Sequence, residues 1–174
     1  MGLDIVPGDV PADSLLVTYV GGTHPEPWRH YADCYVVAVN RSVTLSGFVW
    51  SFYTSRLFRV ERWLLAVAAG APSTDEQVRE LAEGARETFA VWIVGARTEN
   101  QLLMCDRYGK TRSWFSVQSA DGGRTVLRFG SAVVGDSDPA GSPRMGWRFR
   151  ALLSFHRLYS RLLLGAAARG VCKT

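Results

Sequence analysis

Residues 144–169 read RMGWRFRALLSFHRLYSRLLLGAAAR, with no proline. On a helix of 3.6 residues per turn, Met145, Phe149, Leu152, Leu153, His156, Tyr159, Ser160 and Leu163 share one face. Arg150, Ser154, Arg157 and Arg161 share another. This predicts a long amphipathic helix whose apolar stripe carries a single imidazole. A stripe that wide has to be covered, so the rest of the chain must supply a second apolar surface.

The preceding residues supply it. From Thr88 the hydrophobic period changes to two, and four strands are expected at Thr88–Arg97, Gln101–Tyr108, Thr111–Ser119 and Arg124–Gly135. Thr98-Glu99-Asn100, Tyr108-Gly109-Lys110 and Asp121-Gly122-Gly123 separate them as hairpin turns, which makes an antiparallel meander. A three-residue turn in the second hairpin would set Asp106 opposite Arg112 and Met104 opposite Trp114. The two-residue alternative opposes Arg107 to Arg112, a like-charge pair, and is disfavoured.

A further strand is expected at Tyr31–Val39, rich in β-branched and aromatic residues. Beyond Asn40-Arg41, either Ser42 or Thr44 caps a helical region. Leu45, Phe48, Val49, Phe52 and Tyr53 recur at helical spacing, and so do Leu57, Val60, Leu64 and Val67. A break near Thr54-Ser55 divides the region into two short helices that end at Gly70 and Pro72. Ser73 with Glu76, or Thr74 with Gln77, then forms a capping box for a short, mostly polar surface helix over Asp75–Glu83, closed by Gly84. Residues 1–30, punctuated by prolines and glycines, read as an N-terminal arm, with Asp13–Val17 a turn of helix or a strand. Residues 31–174 read as a single domain. The two histidines and the glutamate of His24–His30 are held apart by prolines, so a surface loop is expected there and not a metal site.

Composition bounds the function. The chain has 174 residues, 47% of them hydrophobic, with 6 Trp, 6 Tyr and 8 Phe, enough for one substantial core. A net charge of +4, carried by scattered arginines, lacks the dense basic stripe of a nucleic-acid binder. Cys34, Cys105 and Cys172 are odd in number and far apart, which predicts reduced thiols, no disulfide framework and no zinc site. With three acids and no apolar run in MGLDIVPGDVPAD, no secretory leader is expected, and no apolar run approaches the roughly 20 residues of a membrane span. A cytoplasmic location is expected.

The order of elements, together with LLMCDRYGKTRSWFSV (Leu102–Val117), FGSAVV (Phe129–Val134) and FRALLSFHRLYSRLLL (Phe149–Leu164), resembles the START/SRPBCC superfamily of polyketide cyclases and lipid-transfer proteins. More specifically it resembles a bacterial family of unknown function within that superfamily, with "FHRLYSR" the most specific part. The resemblance covers about Tyr31 to Arg169. It implies an α+β helix-grip fold: an antiparallel β-sheet curved around a long C-terminal helix, with two short helices after the first strand and a pocket between sheet and helix. It implies no cofactor. That fold usually has more strands than the five counted here, and Leu15–Val20 is the candidate for another.

The expected occupant is a small apolar or amphipathic molecule. Candidate ligand-binding residues are His156, Tyr159, Trp114, Arg112, Asp106, Met104, Phe149 and Leu152. A mid-stripe His156 can serve as general acid/base or as a hydrogen-bond donor, or else as a core histidine bonded to a sheet carbonyl or a tyrosine hydroxyl. Arg112, beside Trp114 and paired with Asp106, can hold a carboxylate or phosphate, or else simply form a structural ion pair. Tyr53 can present a hydroxyl to the ligand or serve as aromatic core. Cys105 has no base next to it in sequence and reads as an inert thiol. Two other readings stand beside ligand binding: a cyclase- or hydratase-like enzyme using His156, and a protein-interaction module that binds no ligand.

Overall fold

The structure is a computed structural model. It describes residues 3–19, 31–133 and 147–173, with only the backbone course given for 147–156. Strands β1 (Val6–Pro7), β2 (Tyr31–Val39), β3 (Thr88–Phe89), β4 (Trp92–Arg97), β5 (Gln101–Asp106), β6 (Thr111–Ala120) and β7 (Arg124–Val133) form one sheet. Helices α1 (Leu15–Thr18), α2 (Leu45–Tyr53), α3 (Arg56–Ala69), α4 (Asp75–Glu83) and α5 (Trp147–Val171), with a 3-10 turn at Asp121–Gly123, are the helical elements among the described residues. The sheet is antiparallel throughout, in the order β1-β2-β7-β6-β5-β4-β3. The protein is therefore α+β, with its last helix C-terminal.

Strand alternation gives the sheet two faces. On the inner face, Tyr35, Phe129, Phe115 and Leu102 form one row across β2, β7, β6 and β5. All four are buried. Phe52 of α2 sits on this row, 4.8 Å from both Phe115 and Phe129 between ring centroids. α5 packs on α2 and on β2 and β7. Its Ser160, Leu163, Leu164, Ala167, Ala168 and Val171 are buried, while Arg157, Leu158, Arg161 and Leu162 are exposed. The amphipathic reading of the final helix holds over this half. The side chains of Phe149, Leu152 and His156 lie outside the described residues, as do Met145 and the segment containing His24–His30.

The outer face has a smaller core of its own. Cys34, Leu103, Trp114 and Ala132 are buried there together with Leu16 of α1. Gly130 makes this possible. It pairs with both Cys34 and Trp114, and a Cβ on it would lie 3.0 Å from Trp114 Cε3 and 3.1 Å from the Asp33 carbonyl. Gln101 Oε1 accepts from Trp114 Nε1 at 2.7 Å and from the Leu15 amide at 2.9 Å, which fixes α1 against the sheet. So the described part of Leu15–Val20, residues 15–19, does not add a strand. Leu15–Thr18 is a helical turn capping the outer face, and the extra edge strand is Val6–Pro7, paired with Val36 and Tyr35.

Several helix boundaries fall where the capping residues put them. Thr44 accepts from the Gly47 amide and starts α2. Thr74 and Gln77 make the reciprocal capping box of α4, and Gly70 and Gly84 end α3 and α4 in the left-handed region. α4 is not wholly superficial, for it buries Val78, Leu81 and Ala82.

Three further expectations are corrected. Thr88–Arg97 is two strands, interrupted at Ala90, whose φ is 51°. The β5–β6 register is one residue away from the expected one: Cys105 faces Arg112, Met104 faces Ser113 and Leu103 faces Trp114. The cause is Asp106. Its carboxylate accepts from the Tyr108, Lys110 and Thr111 amides and from the Thr111 hydroxyl, all within 3.0 Å. This side-chain cap stabilises a four-residue turn and ends β5 two residues early. Met104 and Trp114 therefore lie on opposite faces, and Asp106 does not pair with Arg112.

The third correction is the rotation of α3. Of the residues at helical spacing, Val60, Leu64 and Val67 are exposed, as is Trp63, while Leu57 is partly buried against the core. Phe58 and Arg62 turn inward instead. Arg62 donates to the Ser73 hydroxyl and carbonyl and to Asp75 Oδ1, at 2.6–3.0 Å, and lies over the Phe89 ring. A charge-assisted fork of this kind determines which side of the helix faces the protein.

Candidate functional site

Between the inner face and helices α2, α3 and α5 lies a cavity of about 180 Å³. Phe52, Tyr53, Phe58, Trp92, Phe129 and Leu163 form its apolar wall. Alternation along β6 and β7 brings Thr111, Ser113 and Ser131 to it, while Tyr159 and Ser160 come from α5 and Glu61 from α3. Two larger hollows, of about 440 and 880 Å³, are open surface grooves, one at the start of α2 beside α4 and the other along β1–β2. The smaller, more enclosed cavity combines an aromatic wall with converging polar atoms, the usual character of a ligand site.

Its polar end is a carboxyl–phenol pair. The Tyr159 hydroxyl donates to Glu61 Oε2. Burial pushes the Glu61 carboxyl above its ordinary value, and the Tyr159 hydrogen bond partly opposes that rise. Burial, and then the Glu61 charge, push Tyr159 up; the same two causes push up Tyr53. A carboxyl whose pKa is raised by burial, beside two phenols, can accept from or donate to a ligand atom, and can move a proton. At the sheet side the Ser131 hydroxyl donates to Asp33 Oδ1 at 2.5 Å.

The structure distributes the expected site residues over four places. Tyr159 and Tyr53 are in the cavity wall. Met104 is buried in the inner core, and Asp106 caps the β5–β6 turn. Trp114 is in the outer core, bonded to Gln101. Arg112 borders the cavity, yet by strand alternation its side chain shares the Trp114 face, with its guanidinium carbon 5.3 Å from the Tyr19 ring centroid. Cys105 is also on the outer face, and burial raises its thiol pKa. Buried Cys34 is pushed up to about 11.

Glu61, Ser131 and Ser113 were not expected at the site. Glu61 lies three residues after Phe58, on the same side of α3, and this is the one sequence signal that points to its burial. Its neighbours Arg59 and Arg62 mask that signal by suggesting a solvated charged face. No group of three or more His, Cys, Asp or Glu among the described residues is placed to hold a metal ion. No helix among them is long and apolar enough to cross a membrane.

The fold and site thus define an α+β protein with a partly open aromatic cavity between its sheet and its helices. No family model, curated protein or solved structure matches the chain.

Proposed function

We propose that this chain is a helix-grip protein of the START/SRPBCC kind that binds a small amphipathic molecule between its sheet and its C-terminal helix. The cavity carries this reading. Its volume of about 180 Å³ is close to that of an engineered apolar cavity of about 150 Å³ in another protein that takes up benzene. It is below the roughly 300–1,000 Å³ of sites for drug-sized ligands. The occupant is therefore a single-ring compound, not a lipid chain. The ring packs against Phe52, Phe58 and Trp92, and one polar atom hydrogen-bonds at Glu61 and Tyr159.

Calorimetry with phenol and toluene tests this. Phenol binds, toluene binds more weakly, and Glu61→Gln with Tyr159→Phe narrows the difference between them. Absence of binding by both compounds at millimolar concentration rules the reading out.

The raised carboxyl of Glu61 favours one second reading, an acid–base enzyme of cyclase or hydratase type in which Glu61, together with or in place of His156, moves the proton. Turnover of a bound ligand with a pH limb that disappears in Glu61→Gln supports it; a limb unchanged in that variant excludes Glu61.

A further inference from the structure

We infer that the outer face of the sheet carries a second site, which binds a small oxyanion at Arg112. Arg112 is 4% exposed, and its Nη1 is buried with no hydrogen-bond partner. Among the described residues no carboxylate pairs with it. Asp106, the acid nearest in the expected pairing, is committed to the turn after β5. Cys105, directly across on β5, has its thiol pKa raised by burial and is no anion near neutral pH. A guanidinium does not neutralise itself by losing a proton. Burying it unpaired is among the costliest arrangements a core can contain, and such a group calls for a partner.

The geometry points to what that partner is. The Arg112 guanidinium carbon lies over the Tyr19 ring, 5.3 Å from its centroid, a cation–π contact. A ring face is no oxygen acceptor, so this contact leaves Nη1 without a hydrogen bond. The cross-strand neighbours on either side are small, Cys105 on β5 and Ala132 on β7. A planar fork of N–H donors with small neighbours matches a carboxylate or a phosphate, each of which can accept two parallel hydrogen bonds. The site is on the opposite face of the sheet from the cavity, so it does not depend on the proposed ligand there.

The test is thermal unfolding of the full chain in rising acetate or phosphate, at ionic strength held constant with sodium chloride. Either anion should give a saturable rise in Tm, and which of the two does so identifies carboxylate or phosphate as the ligand. At a hundredfold excess over Kd the rise is about 5–10 °C for a chain of this size. Arg112→Met should abolish the saturable rise and, in chloride alone, unfold at a higher temperature than wild type. A wild type without a saturable response to either anion overturns the proposal. So does an equal response in Arg112→Met, or an Arg112→Met less stable than wild type in chloride. Should Arg112→Met not fold, Arg112→Lys retains the charge without the fork. Its affinity for the anion should be at least about tenfold weaker, and an unchanged affinity overturns the proposal.

Discussion

Tyr159→Phe removes one hydroxyl from the cavity wall, and its effect should depend on pH in a defined direction. That hydroxyl donates to Glu61, whose carboxyl is raised by burial and lowered by this bond. A hydrogen bond to an ionised group contributes about 1.5–3 kcal/mol. Glu61 is only partly buried by accessible surface, so the lower end applies, about 1.5–2 kcal/mol. For a chain of this size that is a fall in Tm of about 3–8 °C. A carboxyl whose folded pKa is raised contributes stability that is present in acid and lost as pH rises through the folded value. Deleting the Tyr159 bond raises that value further. The penalty is therefore full where wild-type Glu61 is ionised and smallest below the ordinary carboxyl value of 4.5, where the acid is neutral in both proteins. Urea unfolding of wild type, Tyr159→Phe and Glu61→Gln across mildly acidic to neutral pH measures this. Glu61→Gln should gain on wild type as pH rises. A Tyr159→Phe penalty that is constant with pH, or that grows in acid, would refute the assignment of Glu61 as the buried ionising partner.

Three further outcomes follow from other contacts. Gln101→Ala leaves Trp114 Nε1 and the Leu15 amide without their acceptor, which should cost about 2–4 kcal/mol and expose the N-terminal residues to protease; a loss under 0.5 kcal/mol would contradict it. Gly130→Ala forces a methyl against Trp114 and the Asp33 carbonyl, with an expected loss of about 1–3 kcal/mol in the urea midpoint. Ser160→Leu places apolar atoms in the cavity and should raise Tm by about 2–6 °C while abolishing phenol binding, and a variant that still binds phenol would show the ligand to be elsewhere.

How much of this could be read from the sequence depends on how far each determinant reaches along the chain. The ends of α4 follow from Thr74, Gln77 and Gly84, all within a dozen residues, and their capping chemistry is local. The break between α2 and α3 is likewise local, because Ser55 accepts from the Phe58 amide and starts the second helix. The β5–β6 register depends on where one carboxylate finds its donors. Asp106 has the choice of a cross-strand arginine or four turn donors, and hydrophobic alternation does not distinguish them. The rotation of α3 is less legible still. Val60, Leu64 and Val67 are more apolar than Glu61 and Arg62, yet the charged pair is turned inward because Tyr159, Ser73 and Asp75 receive it. At the candidate site, Tyr159 was legible as part of an apolar stripe. Glu61 was not, since its partner is 98 residues away. The outer core is hidden in the sequence for a related reason: nothing in β6 alone indicates that Leu16 will cover Trp114.

The place of β2 in the sheet also has a consequence for how the chain is made. β2 is held on its long side by β7, and Asp33 meets Ser131 across 98 residues. On the ribosome, Tyr31–Val39 is synthesised early, and its main partner emerges only after the whole meander has been translated. Until then a nine-residue run of β-branched and aromatic residues has unpaired backbone on its principal edge. Contacts of such long sequence separation form slowly. The stretch YADCYVVAV is therefore where a chaperone would engage the nascent chain, and where aggregation would begin if synthesis outpaced folding.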